Sequence, residues 1–236
     1  MEYKKILTLS FDDGVTQDIR FIELLDKCGI KCTFNLNSEL LGISGCLNIN
    51  GKEIKHIKVM PEDVKHIYAN HEVCAHTLTH PFLTQQTDEE ITRQVEQDRL
   101  NLSKLVGYNV RGFAYPGGGV NFNEHVASVI SATTGVEFAR TIQCSYNFDL
   151  QSDMYTFKPT ISFIKEKEKT MELCREFIEL QTDEPKLFYI WGHSYEMDVN
   201  DDWDFAEQVL SMLSGKSDIL YCTNSQAFDY LKSICK

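Results

Sequence analysis

Three groups of residues in this chain have the types and spacing for chemistry. Asp12 and Asp13 stand side by side in Ser10-Phe11-Asp12-Asp13-Gly14, directly after the apolar run Ile6-Leu7-Thr8-Leu9. His76 and His80 are four residues apart in His76-Thr77-Leu78-Thr79-His80. His193 follows Leu187-Phe188-Tyr189-Ile190-Trp191-Gly192. Adjacent carboxylates at the mouth of a buried strand are costly unless paired, hydrogen-bonded or bound to a cation. Gly14 lets the chain turn after them, so the two side chains need not point to opposite faces. By itself the pair also reads as an acidic turn. Imidazoles four apart on a helical turn share one face and can bind one ion, although surface histidines have the same spacing. Two histidines and a carboxylate leave coordination positions open for water and substrate, which is the pattern of a catalytic metal site.

The elements that must position these residues alternate. An apolar strand ends near Asp12. Ile19, Ile22, Leu25 and Cys28 then recur at helical spacing up to Gly29. Cys32–Asn37 is strand-like. An Asn50-Gly51 turn inside residues 46–54 predicts a hairpin insertion. Pro61 opens a short helix, and Glu72–Ala75 is a strand leading to His76. Thr87-Asp88-Glu89-Glu90 is a capping box, and its helix carries Ile91, Val95, Leu102, Leu105 and Val106 as far as Gly107. Strands near 111–115, 136–142, 156–164, 187–191 and 219–221 alternate with helices near 124–133, 171–180, 203–213 and 225–234. Strand and helix thus alternate about seven times, which predicts a parallel α/β sheet, open or closed into a barrel. Asp12, Asp13, His76, Tyr115, Arg140 and His193 all fall just after predicted strands, where such folds place their sites. No linker, repeat or low-complexity stretch divides the chain, so residues 1–236 are read as one domain.

The net charge of -12 argues against binding to nucleic acid or an anionic membrane surface, both of which need basic residues. No run of about 18 apolar residues is present to span a membrane. Met1-Glu2-Tyr3-Lys4-Lys5 runs straight into the first strand without a signal peptide, which predicts a cytoplasmic protein. The eight cysteines are scattered, with no CxxC, and are expected as reduced thiols. His56, His66 and His125 lack partners in sequence and are expected at the surface. His71 is expected to be structural.

Ser10–Gly14 resembles the first motif of the NodB-type polysaccharide deacetylases, carbohydrate esterase family 4. His76–His80 resembles their second motif, HSxxH or HTxxH. Phe113-Ala114-Tyr115-Pro116-Gly117-Gly118 is similar to the FxxPxG core of the third, and Leu187–His193 to the last. The motifs occur in family order over residues 8–193. The resemblance implies a distorted (β/α)7 TIM-like barrel and a divalent metal, zinc. By position it makes Asp13, His76 and His80 the metal ligands, Asp12 the general base and His193 the general acid. The implied reaction is hydrolysis of the N-acetyl or a related acyl group of an amino-sugar-containing saccharide, with an activated water as nucleophile. The oligomeric state is open.

The third motif departs from the family pattern. Where the pattern has an arginine that orients the base, this chain has Ala114, and Gly117 stands where a tyrosine is usual. Arg111 lies three residues earlier, on the wrong register. Arg140, at the end of the next strand, is the candidate replacement, with a surface arginine as the competing reading. Tyr115, Gly117 and Trp191 are candidates to contact substrate, although Trp191 at the end of an apolar strand reads more readily as core. Glu196 is either a support for His193 or a solvated loop charge. Two other readings remain: a cyclic-amide hydrolase of the same superfamily, and a carbohydrate-binding barrel without turnover.

Overall fold

In the computed structural model, which describes residues 3–234, β1 (Lys5–Asp12) is buried along its whole length. It must be, because it has neighbours on both edges and packed side chains on both faces. β9 (Lys186–Gly192) runs parallel along one edge in continuous register, from Lys5 opposite Lys186 to Phe11 opposite Gly192. The other edge is shared. β10 (Ile219–Tyr221) pairs with Lys5–Leu7, and β2 (Thr33–Leu36) pairs with Ser10–Asp12. From β2 the sheet continues through β5 (Glu72–Ala75) and β6 (Gly112–Ala114) to β7 (Phe138–Arg140). Beyond β9 it ends at β8 (Ile161–Ser162).

Every pairing in this sheet is parallel, and the sheet curls into a half-barrel. This is a single-domain, distorted (β/α)7 barrel. Its open side is bridged by the segment around Phe157, which exchanges backbone hydrogen bonds with Ala139 and Thr141.

Helices cover the outside. α1 (Gln17–Cys28) buries Phe21, Ile22 and Leu25 and stops at Gly29, whose φ is 65°. Phe21 stacks on Phe11 of β1, with ring centroids 4.2 Å apart. α2 (Val64–Ile67) follows a 3₁₀ turn begun by Pro61. α3 (Asp88–Thr92) passes through a π-helical turn, Arg93–Gln97, into α4 (Asp98–Val106). Thr87 caps this helix by accepting from the Glu90 N–H. The extra residue of the π turn keeps Ile91, Val95, Leu102 and Val106 buried together.

α5 (Glu124–Thr133), α6 (Lys167–Glu179), α7 (Glu196–Val199), α8 (Trp203–Leu213) and α9 (Asn224–Ile234) complete the layer. The expected hairpin is present as β3 (Cys46–Ile49) and β4 (Lys52–Lys55), turning at Asn50 and Gly51 with φ of 53° and 78°. It stands apart from the barrel as its own two-stranded sheet.

Seven of the eight cysteines lie among the described residues, and all seven are free thiols. Cys235 lies outside the described residues. No helix among the described residues is long and apolar enough to cross a membrane.

Candidate active site

The carboxyl ends of β1, β5, β7 and β9 open into one cleft of about 290 Å³. Asp12, Asp13, His76, His80 and His193 all line it. At its floor one ligand atom from each of Asp13, His76 and His80 lies within 4.8 Å of the others.

Local backbone geometry brings these three together. Asp13 leaves the strand with φ of 85°, anchored by its N–H to the Asn35 carbonyl at 2.9 Å. Gly14 follows with φ of 62°, and a Cβ there would stand 2.8 Å from Leu36 Cγ, so the turn admits no side chain. The expected helical turn at 76–80 is absent. These residues form a loop in which Thr77 and His80 have φ of 69° and 61°. The loop is stitched by Thr77 Oγ1, which donates to the His76 carbonyl and accepts from the His80 N–H. The His76 N–H donates to Asp98 Oδ2 at 2.9 Å.

His76 Nδ1 lies 2.8 Å from the Ala114 carbonyl. A carbonyl only accepts, so Nδ1 carries the proton and Nε2 is left with its lone pair for a metal. Burial pushes the His76 pKa down to about 4 and lowers that of His80. Both imidazoles are therefore neutral near pH 7, as metal ligands must be. Burial opposes the charge on Asp13, but the hydrogen bond from His56 and the Lys58 ammonium outweigh it and hold the carboxyl well below its usual range. Two neutral imidazoles and an ionised carboxylate are a donor set that fits a divalent metal.

Asp12 is ionised for a different reason. It is the last residue of β1 and is 1% exposed. One nitrogen of Arg140 donates to both its oxygens, at 2.5 and 2.6 Å, and Asn35 Nδ2 donates to Oδ1 at 2.7 Å. Burial raises the Asp12 pKa. The charge and hydrogen bonds of Arg140, with the charge of His193, bring it below the usual value. Arg140 is itself 1% exposed, with its guanidinium 4.8 Å from the Trp191 ring. It is thus no surface arginine. Arg111, by contrast, is engaged by Glu137 and Asp229.

His193 follows β9, with Nε2 3.9 Å from both Asp12 and Asp13. Its Nδ1 is 3.3 Å from Glu196 Oε1, close enough for an ion pair but without the alignment of a hydrogen bond. Burial lowers the His193 pKa, yet the charge of Glu196 and of the two aspartates raises it above the ordinary value. Glu196 is lowered in return, its own burial outweighed by His193. Beneath this loop Ser194 Oγ donates to the buried Asp18 at 2.5 Å, and Tyr68 donates to the other oxygen of Asp18 at 2.7 Å.

The remaining candidates also line the cleft. Tyr115 is fully buried, and its hydroxyl is committed to the Tyr155 carbonyl at 2.8 Å. Gly117, with φ of 81°, abuts Phe82. Trp191 is 4% exposed, so it serves the core and the cleft wall at once.

Sequence reading missed His56 and Lys58. His56, expected at the surface, has Nε2 3.3 Å from Asp13 Oδ2. Lys58 is buried, and its ammonium donates to the Asp13 carbonyl at 2.6 Å and to Oδ1 at 3.1 Å. Both follow the hairpin, an insertion with no pattern of its own to place it beside β1. His125 and His66 are exposed and His71 is buried, as expected.

No curated protein matches the chain. Among solved structures it is similar to a polysaccharide deacetylase from Bacillus cereus (18% identity, TM-score 0.52), over 63% of this chain and 44% of that one. It thus spans less than half the length of that protein. It is also similar to a carbohydrate esterase family 4 pseudoenzyme from Bacillus anthracis (18% identity, TM-score 0.55), over 89% of this chain and 60% of that one. A mutant of the peptidoglycan deacetylase PdaC from Bacillus subtilis matches over 98% of this chain and 93% of its own (17% identity, TM-score 0.56). At these identities the likeness concerns the fold. The family model for polysaccharide deacetylases, however, matches residues 2–137, more than half of the sequence and the part holding Asp12, Asp13, His76 and His80, and the chain belongs to that family.

Proposed function

We propose that this chain is a metal-dependent hydrolase that removes N-acetyl or related acyl groups from an amino-sugar-containing saccharide. One observation carries the reading. The ligand atoms of Asp13, His76 and His80 converge within 4.8 Å in a cleft that Asp12 and His193 also line.

Asp13, His76 and His80 would hold the metal, and two histidines with a carboxylate suit zinc. Bound there, a divalent cation polarises an amide carbonyl and lowers the pKa of water. The protein's own groups supply the proton transfers. Asp12, ionised and fixed by Arg140 and Asn35, accepts the proton of the attacking water. The amine is a poor leaving group until protonated. His193, whose protonated form the charge of Glu196 favours, gives its Nε2 proton to the departing nitrogen. Arg140 takes the place of the arginine missing from the third motif and orients the base from β7, the strand next to β6. The walls formed by Tyr115, Gly117 and Trp191 hold the substrate.

The test is acetate release from N-acetylated chitooligosaccharides by protein whose zinc content has been measured. About one zinc per chain with chelator-sensitive release supports the reading. Equal release with the metal removed refutes it.

A further inference from the structure

The catalytic cleft is bounded at Asp13. On its far side a second hollow of about 340 Å³ shares Asp13, His80 and Tyr195 with it. Tyr195 is the partition: its ring lies 5.0 Å from that of His193 on one side and 5.0 Å from that of His56 on the other. The outer wall is Leu40, Ile43 and Leu47. Ile43 is 51% exposed, so this wall keeps a branched apolar side chain in water. The wall is fixed. Lys58 N–H bonds the Ile43 carbonyl at 2.9 Å, His56 N–H the Gly45 carbonyl at 2.8 Å, and Val59 N–H the Gly14 carbonyl at 2.9 Å. The hollow is therefore built before any ligand arrives.

Resting on the deacetylase reading of the cleft, we propose that this hollow is a subsite for an apolar aglycone, an aryl or alkyl group carried by the sugar whose acyl group is removed. Three features point to it. The hollow adjoins the cleft across the wall of Asp13, His80 and Tyr195, so a group passing over Tyr195 can be joined to a substrate already at Asp12. The cleft alone is at the small end of ligand sites, which run roughly 300–1,000 Å³, so a ligand extending beyond it has somewhere to go. The wall offers aliphatic side chains, which favour burying apolar surface over a hydroxylated ring. An acetyl methyl does not need this space, because Ile142 and Trp191 already supply apolar surface within the cleft.

The test compares free N-acetylglucosamine with its phenyl and octyl glycosides, with chitobiose, and with N-butanoylglucosamine. The zinc-loaded wild type and Ile43→Asp are assayed side by side. The apolar glycosides should exceed the free sugar in kcat/KM by about tenfold or more, the worth of burying roughly two methylenes. Ile43→Asp should erase that advantage and leave the free sugar's kcat/KM unchanged. Calorimetric binding of phenyl N-acetylglucosaminide to the metal-free protein, weakened by the same substitution, reads the subsite without turnover. Equal rates for free sugar and glycosides overturn the proposal. So does an advantage confined to chitobiose or to the longer acyl group, or one that survives Ile43→Asp. If no sugar is turned over, the deacetylase reading fails. Glycoside binding that ignores Ile43→Asp sinks the subsite separately.

Discussion

One nitrogen of Arg140 donates to both carboxylate oxygens of Asp12, at 2.5 and 2.6 Å, across a separation of 128 residues. The contact joins the ends of two strands, and Arg140 and Asp12 are each only 1% exposed. Removing one partner of a buried pair leaves the other uncompensated, at a cost of roughly 3–5 kcal/mol. Arg140→Ala should therefore lower the denaturation midpoint. It should also reduce kcat/KM by about two orders of magnitude or more, because Asp12 loses both its orientation and the charge that keeps it ionised. Arg140→Lys should recover part of the stability and little of the rate, since one ammonium does not reproduce the planar guanidinium. Turnover of Arg140→Ala near that of wild type would remove Arg140 from the site.

Glu196 bears on the acid. Its charge raises the pKa of His193, which in the proposed reaction must be protonated to serve the leaving amine. Neutralising the partner lowers that pKa, so the fall of kcat/KM at high pH should begin earlier. Glu196→Gln should move this alkaline limb down by roughly one pH unit, the lower end of the effect of an adjacent opposite charge. A pH profile that superimposes on wild type would mean that Glu196 is structural.

Asp18 gives a pH dependence of stability. Burial raises its pKa from 3.8 to about 7, against the hydrogen bonds from Ser194 and Tyr68. The folded state therefore holds a proton that the unfolded state releases between about pH 4 and pH 7. Where the folded state binds more protons, stability falls as pH rises, so this contribution is fully present below pH 4 and lost by about pH 7. Asp18→Asn cannot titrate, and the difference in unfolding free energy between it and wild type should change across that window. A constant difference from pH 4 to 7 would show that Asp18 does not titrate there.

His76 and His80 are expected to be separable from Asp12 by metal content. Either histidine replaced by Ala should weaken zinc affinity in equilibrium dialysis by an order of magnitude or more, because each would supply one of the three proposed ligands. Retention of stoichiometric zinc by both single variants would displace the site from these residues.

How much of this was legible in the sequence depended on how local each feature is. Asp12 with Asp13, and His76 with His80, are close in the chain, so their types and spacing could be read directly. The alternation of elements carried the barrel, and helix limits at Glu124–Thr133 and Trp203–Leu213 followed from periodicity alone. Arg140 was reachable only through topology, because it sits at the end of the strand after β6 and the curl of the sheet turns it toward β1. The His76–His80 loop owes its shape to two left-handed residues, which leave no mark in the hydrophobic pattern. His56 and Lys58 could not be placed at all, since a hairpin insertion docks by tertiary hydrogen bonds rather than by periodicity.

In the proposed reaction Asp13 helps hold a metal while its neighbour Asp12 takes the proton. The most direct measurement is the rate of acetate release by Asp12→Asn against wild type, at equal zinc content, on one N-acetylated chitooligosaccharide. The expected result is chelator-sensitive release by the wild type and a loss of at least about 10² in the variant, the lower end of what a positioned base contributes. Full activity in Asp12→Asn, or no release by zinc-loaded wild type, would contradict the account.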